Sequence, residues 1–259
     1  MKRRKFITTA ALGAAGLSTG FKVKASQNQN TANQLIEFRE YQMKFGTDHS
    51  ILETYLKNAL IPALNKYGIE KAGVFREYSK TEPPKIFMVT PFPSYDEYPV
   101  ILKKAYSDKN FLAAAAAYNS TPPAKIPFER VNTSLLNAFD RLPKIQIPQP
   151  GDKLFELRIY EGHNEDAVAR KVGMFNKEEI DLFYKTGFKP VYFGQMIAGF
   201  HTPCLNYMVS FKDMAEREAI WAKFVESQEW KTMKDKPEYA NSVSSIIRIF
   251  LEPMEYSQI

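Results

Sequence analysis

Hydrophobic and polar residues alternate in two stretches set 119 positions apart. Leu35-Ile36-Glu37-Phe38-Arg39-Glu40-Tyr41 sets Ile36 and Phe38 against Glu37 and Arg39, and Leu154-Phe155-Glu156-Leu157-Arg158-Ile159-Tyr160 sets Phe155, Leu157 and Ile159 against Glu156, Arg158 and Tyr160. A period of two belongs to a strand with two unlike faces. Beyond each strand the period lengthens. Ile51, Leu52, Tyr55, Leu56, Leu60, Ala63 and Leu64 recur at three and four, from a cap at Thr47 or Asp48 to Gly68. Val168, Val172, Phe175, Ile180 and Phe183 do the same before Gly187. Pro62 predicts a kink near Leu60 in the first helix, and the second pattern predicts one long helix.

Hairpin strands are expected over 73–78 and 86–90, and again over 191–198 and 205–211 with Gly199 and Pro203 in the turn. Helices follow over 94–105 and 213–226, short helical segments over 110–118 and 228–235, and last strands over 135–139 and 244–251. The offset of 119 also joins Gly68-Ile69 to Gly187-Phe188, Phe92 to Phe211 and Phe111 to Trp230; near the ends it falls to 111. Agreement at a fixed period over such a span predicts an internal duplication. Each copy reads βαββαβ, the ferredoxin-like order, so the fold class is α+β with tandem ferredoxin-like units. A four-stranded sheet with helices on one side leaves its other face bare, and two units in one chain can cover those faces. Pro143, Pro148 and Pro150 place the boundary near 148, giving a first unit with linker over 26–148 and a second over 149–259.

Residues 1–25 read as a signal peptide. Lys2-Arg3-Arg4-Lys5 precedes a weakly apolar run to Phe21, and Val23-Lys24-Ala25 suits cleavage after Ala25. The arginine pair followed by Phe6 resembles a twin-arginine signal, which implies export of a folded protein to the periplasm or beyond. The leader also changes the charge argument. The net +6 comes from 35 Lys and Arg against 29 Asp and Glu; six of the cations lie in residues 1–25 with no acid, so the remainder balances at 29 against 29. A chain without net charge gives no electrostatic case for nucleic acid as partner, and no membrane span is expected once the leader is cleaved. One cysteine, Cys204, excludes an intrachain disulfide, and its setting between Pro203 and Leu205 reads as a buried small hydrophobe.

No Walker, dinucleotide, CxxC or HExxH pattern occurs, so no catalytic residue, metal or cofactor is assigned. The candidates for a pocket are Arg158, His163, His201, Asn206 and Arg217. His163 follows the first strand of the second unit and His201 lies in its hairpin, two places that fall at the same end of a βαββαβ sheet. Both also read as exposed loop histidines. Asn206 opens an otherwise apolar strand, Asn206-Tyr207-Met208-Val209, and a buried amide there either faces a polar pocket or ties down the hairpin. The Glu-x-Arg pairs, Glu37/Arg39 and Glu156/Arg158, put both charges on one strand face, where they serve another charge at an interface or an anion. Trp221, Phe224 and Trp230 read as packing of helix on sheet.

Glu156-Leu157-Arg158-Ile159-Tyr160, Gly187, Gly199, Leu205-Asn206, Ser210, Arg217 and Glu229-Trp230 together resemble the NIPSNAP family, within the dimeric α+β barrel superfamily, over about residues 153–256. Residues 34–142 are similar but degraded: Glu37, Arg39, Tyr41 and Gly68 persist, Phe87 or Met88 stands for Asn206, and Phe111 for the tryptophan. The turn Phe193-Gly194-Gln195-Met196 departs from the tryptophan-bearing family pattern. The resemblance implies that the two units pair into an intrachain α+β barrel, with any site built around the second copy. It implies an undefined biochemical role in which the barrel binds a small ligand. The alternative it offers is a cofactor-independent monooxygenase or isomerase acting on a small hydrophobic substrate; a homo-oligomer and a purely structural barrel fit the family as well.

Overall fold

The computed structural model describes residues 33–78 and 82–259; the leader read in residues 1–25 lies outside them. Eight strands, β1 (Leu35–Met43), β2 (Gly73–Glu77), β3 (Lys85–Phe92), β4 (Phe128–Ala138), β5 (Leu154–Glu161), β6 (Lys189–Ala198), β7 (Cys204–Phe211) and β8 (Ser245–Pro253), close one barrel in the order β1-β3-β2-β8-β5-β7-β6-β4. Every neighbouring pair is antiparallel. The strands of the first half run β4-β1-β3-β2 and those of the second β8-β5-β7-β6. Two short seams join them. Phe75 to Glu77 of β2 pairs with Leu251 to Pro253 of β8, and Leu135 to Ala138 of β4 with Gly194 to Ala198 of β6. The halves therefore meet edge to edge, and the faces expected to cover one another become the inside of a barrel. Closure gives every strand a neighbour on both sides, although the two seams pair only part of β8 and β4.

Alternation decides which residues fill that inside. Ile36, Phe38, Phe87, Val89, Leu136, Phe155, Leu157, Met208 and Leu251 form the interior cluster, with the Phe75 and Phe155 rings 4.8 Å apart. The opposite strand faces carry helices in two separate cores, one per half. The antiparallel order also fixes the ends of the barrel. The last residues of β1 and β5, the β2–β3 and β6–β7 hairpins and the first residues of β4 and β8 share one end, here the hairpin end. The other end is stopped by the inter-half linker and the C-terminus: Gln146 N donates to Val191 O (2.8 Å), while Ile145 and Ile259 pack on the interior cluster.

In the first half, α1 (Ser50–Tyr55) and α2 (Ile61–Lys66) are joined by a π-helical turn over Leu56–Leu60. After α3 (Glu97–Ser107) come α4 (Lys109–Ala114) and α5 (Ala116–Asn119), where the sequence predicts one segment. In the second half, α6 (Glu165–Met174) and α7 (Ile180–Thr186) are joined by a π-helical turn over Phe175–Glu179, followed by α8 (Met214–Glu226) and α9 (Gln228–Lys234). The two π turns are 119 residues apart. The expectation of a proline kink in one helix and none in the other is thus corrected: the same interruption occurs where Asp181 stands in place of Pro62, so the proline does not cause it. Asn164 and Asp213 cap α6 and α8 through Ala167 N and Glu216 N, both at 2.9 Å, and Gly187 ends α7 at φ +105°. Among the described residues, no helix is long and apolar enough to cross a membrane.

Candidate functional site

At the hairpin end the inward face of the barrel turns polar. Ile36 and Phe38 give way to Glu40 and Gln42 along β1, and Ala138 and Leu136 give way to Ser134, Asn132 and Arg130 towards the start of β4. With Lys85, Ile159, Met196, Phe200, His201 and Asn206 they line a cavity of about 240 Å3. Seven of the twelve lining residues belong to the first half. This cavity is therefore lined from both halves.

Three groups of contacts organise it. Glu40 pairs with Lys85 at 3.2 Å and accepts from Gln42 Nε2 at 2.9 Å. His201 Nδ1 lies 2.6 Å from Glu161 Oε1, which fixes the ring across the mouth; in the tautomer that donates Nδ1–H to the carboxylate, Nε2 is the acceptor nitrogen. The hairpin carrying His201 is held against β4 by Gly199. Its φ is +140°, and a Cβ there would collide with the Ser134 side chain, so only glycine allows the approach. His201 itself has φ +66°. Asn206 is the third feature. It is fully buried, and neither Oδ1 nor Nδ2 has a hydrogen-bond partner among the described residues. Its neighbours on the inward face of β7 are Cys204 and Met208, which offer no strong partner. Burial pushes the Cys204 thiol up to about 12, which disfavours the thiolate.

The sequence candidates divide accordingly. His201 and Asn206 line the cavity. His163 is exposed in the turn after β5, and Glu161, its near neighbour in sequence, partners His201 instead. Arg158 and Arg217 are brought together, but outside the barrel, because even positions of β5 face the helices. Glu156, with no exposed surface, accepts from Arg158 Nε (2.7 Å), Arg217 Nε (2.9 Å) and Nη2 (3.1 Å), and Trp221 Nε1 (2.9 Å). The Arg158 guanidinium lies 3.8 Å from the Trp221 ring centroid, and its Nη1 donates to Tyr160 Oη, itself 3.0 Å from Tyr207 Oη. That network commits both guanidiniums chiefly to Glu156, on the helix side of the sheet and away from the cavity. The first half holds a thinner version, in which Arg39 Nε and Glu37 Oε1 lie 2.7 Å apart without hydrogen-bond alignment and Tyr98 Oη donates to Glu37 Oε2 at 2.6 Å. Among the described residues, no group of three or more His, Cys, Asp or Glu is placed to hold a metal ion.

Glu40, Gln42, Lys85, Arg130, Asn132 and Ser134 were not among the candidates. A signal for several was present: they continue, at period two, the inward face of apolar residues on the same strand. A polar residue at such a position marks either the end of a strand or the wall of a cavity.

Residues 155–258 match the NIPSNAP family model. This part of the chain is a NIPSNAP-family domain. Over most of the chain the fold is similar to that of a Fusobacterium nucleatum protein provisionally named a monooxygenase, at a TM-score of 0.57 and 12% identity, covering 86% of this chain and 94% of that one. It is also similar to a Lactobacillus acidophilus protein with the same provisional name (TM-score 0.54, 11% identity, 85% and 94% covered). An anthrone oxidase-like protein gives a TM-score of 0.50 at 11% identity, with 86% and 92% covered. At such identities the likeness is one of fold. None of the curated proteins matches the chain. The NIPSNAP-family domain supplies β5 to β8, and with them Asn206, His201 and Glu161; the first half supplies the facing wall.

Proposed function

We propose that the hairpin end of the barrel binds a small, mainly apolar organic molecule whose polar group reaches Asn206. The buried amide carries this reading. An unpartnered buried polar group costs about 1–3 kcal/mol, and a fold that only needed packing would gain by an apolar residue there. The cavity falls below the roughly 300–1,000 Å3 of pockets for drug-sized molecules, which sets the ligand's size. Non-denaturing mass spectrometry of protein purified from the cells that make it tests the reading: a retained small molecule, lost in Asn206→Leu, is expected. Protein that emerges empty, and that binds no member of a fragment library at this end of the barrel, would remove it.

A second reading has its own observation, the His201–Glu161 pair. A histidine whose Nδ1–H is held by a carboxylate presents Nε2 as a general base, and a ligand seated on Asn206 would lie beside it. The reaction class is proton abstraction from an acidic C–H or O–H group, the first step of an isomerisation or of a cofactor-independent oxygenation with dioxygen as co-reactant. The provisional monooxygenase and anthrone oxidase-like names of the similar folds support this by analogy alone. His201→Gln should abolish turnover of a substrate and leave its binding within about threefold; equal loss of both would make His201 a binding residue only.

We infer further that the chain is a tandem duplication of one βαββαβ unit, which the common strand order and the repeated π turn support. We also infer that residues 1–25 are an export leader, and the concentration of six unbalanced cations there supports that. A mature protein beginning at Ser26, by intact mass of the exported fraction, is the expected result.

A further inference from the structure

Asn206 says more about the ligand than that it is polar. Neither amide atom has a partner among the described residues, so a single ligand group that satisfied both would give one donor to Oδ1 and one acceptor to Nδ2 at the same time. These atoms are neighbours on one planar group. A ketone meets only Nδ2, and a hydroxyl is a single atom that cannot make straight bonds to both. A group with N–H and C=O side by side can make the two bonds in parallel.

The charges at the site favour a neutral group. Glu40 is already taken by Lys85, and Glu161 by His201. An ionised carboxylate would bring no donor and would set its oxygens against Asn206 Oδ1. The exposed Arg130 guanidinium at the mouth would hold such an anion short of the floor. Phe38, Ile159, Met196 and Phe200 supply the remaining wall, which suits a flat apolar body.

We propose that this cavity recognises a neutral cis-amide, as in a ring lactam or a primary carboxamide, carried on a small apolar or aromatic body and paired in parallel to the Asn206 side chain. The proposal rests on the reading of the cavity as a ligand site. It adds the recognised group.

Three probes of one shape separate the outcomes: 2-quinolone, its N-methyl derivative and 2-naphthoate, titrated into the full chain and into Asn206→Leu by calorimetry, with thermal denaturation as the check on folding. The wild type should bind 2-quinolone at least about tenfold more tightly than the N-methyl compound, since a site built for a hydrogen bond rejects an analogue that lacks it. In Asn206→Leu, folded and with an unchanged or raised Tm, the two should bind within about twofold of each other. Equal binding of both to the wild type, a preference that survives in Asn206→Leu, or tightest binding of 2-naphthoate would each overturn the amide proposal and leave the ligand site standing. Failure of all three to bind at millimolar concentration would overturn both.

Discussion

Glu156 shows how a charge can be buried and yet hold a structure together. Burial pushes its carboxyl up, but the hydrogen bond from Arg217, with the charge and hydrogen bond of Arg158 and the Trp221 Nε1–H, outweighs that and keeps it below the usual glutamate range. A carboxylate whose folded pKa is depressed contributes stability that is complete above its unfolded value, about 4.3, and is lost as pH falls through the folded value. Glu156→Gln should therefore cost up to about 3–5 kcal/mol at pH 7, because two largely covered guanidiniums are left beside a neutral amide. The gap from wild type should close as pH drops below about 4. Urea denaturation at pH 7, 5 and 3.5 measures both, and a variant as stable as wild type at pH 7 would show that the network contributes nothing. The residue types were visible in the repeated Glu-x-Arg spacing. Their partners were not, since Arg217 and Trp221 lie 61 and 65 residues away on α8 and only the docking of that helix brings them to Glu156.

Between α6 and α7 the same logic gives the opposite balance. Lys171 and Glu179 flank the π turn, both buried and 2.7 Å apart, with the ammonium 4.6 Å from the Phe175 ring centroid. Burial raises the Glu179 carboxyl above its usual range, and Lys171 only partly offsets this. At the corresponding places in the first half stand Leu52 and Leu60, both fully buried, around the same turn. The molecule thus carries an apolar version of its own ion pair in an equivalent setting. Lys171→Leu alone strands Glu179 and should cost about 3–5 kcal/mol, whereas Lys171→Leu with Glu179→Leu should match or exceed wild type, as buried pairs replaced by hydrophobes often do. Chemical denaturation of the two singles and the double decides it; a double variant as weak as the singles would mean that the pair fixes the π turn. The turn itself was hidden in the sequence. One extra residue shifts the apolar stripe by about 100°, and a run as rich in apolar residues as 51–64 still offers a buried side chain at each step. The first residues of β4 were hidden for another reason. Its inward positions, Arg130, Asn132 and Ser134, face a cavity instead of a core, so the alternation that betrays a strand is absent where the strand begins to matter.

Closure of the barrel depends on little backbone. The β2–β8 seam aligns three residue pairs and the β4–β6 seam four, so much of the union between the halves comes from the interior cluster and the stop at the linker end. There Ser257 Oγ accepts from Val74 N at 2.9 Å, Gln258 bonds to Ala72 and Asn65, and Ile259 packs inside against Gly73, where any side chain would collide with Phe75. Deleting residues 257–259 should destabilise the protein by about 2–4 kcal/mol, the cost of a large buried aliphatic side chain with its cavity, and leave ligand binding at the hairpin end unchanged. A Tm within a degree of wild type would show that the C-terminus is only draped over the barrel.

The halves themselves give the sharpest test of the architecture. Residues 153–259 alone would carry β8-β5-β7-β6 with both outer strands unpaired and with Phe155, Leu157, Met208 and Leu251 exposed on one face. A sheet in that state seeks a partner with the same bare face and free edges, and a second copy of the fragment offers both: β6 of one can take the place of β2 beside β8 of the other, twice, by symmetry. The isolated fragment should therefore be a folded dimer at micromolar concentration, seen as twice the fragment mass by light scattering, with strand content retained in circular dichroism. In that dimer Asn206 would occur twice, and the facing wall of Glu40, Gln42 and Arg130 would be replaced by Ile159 and Glu161, at an offset of 119 along β5, and by Ser245, which pairs with Glu161 as Arg130 pairs with Gln42. Ligands held by the first-half wall would be lost although the fold survived. A folded monomer would mean that the second half caps its own sheet, and that the tandem arrangement is not what the barrel needs to close.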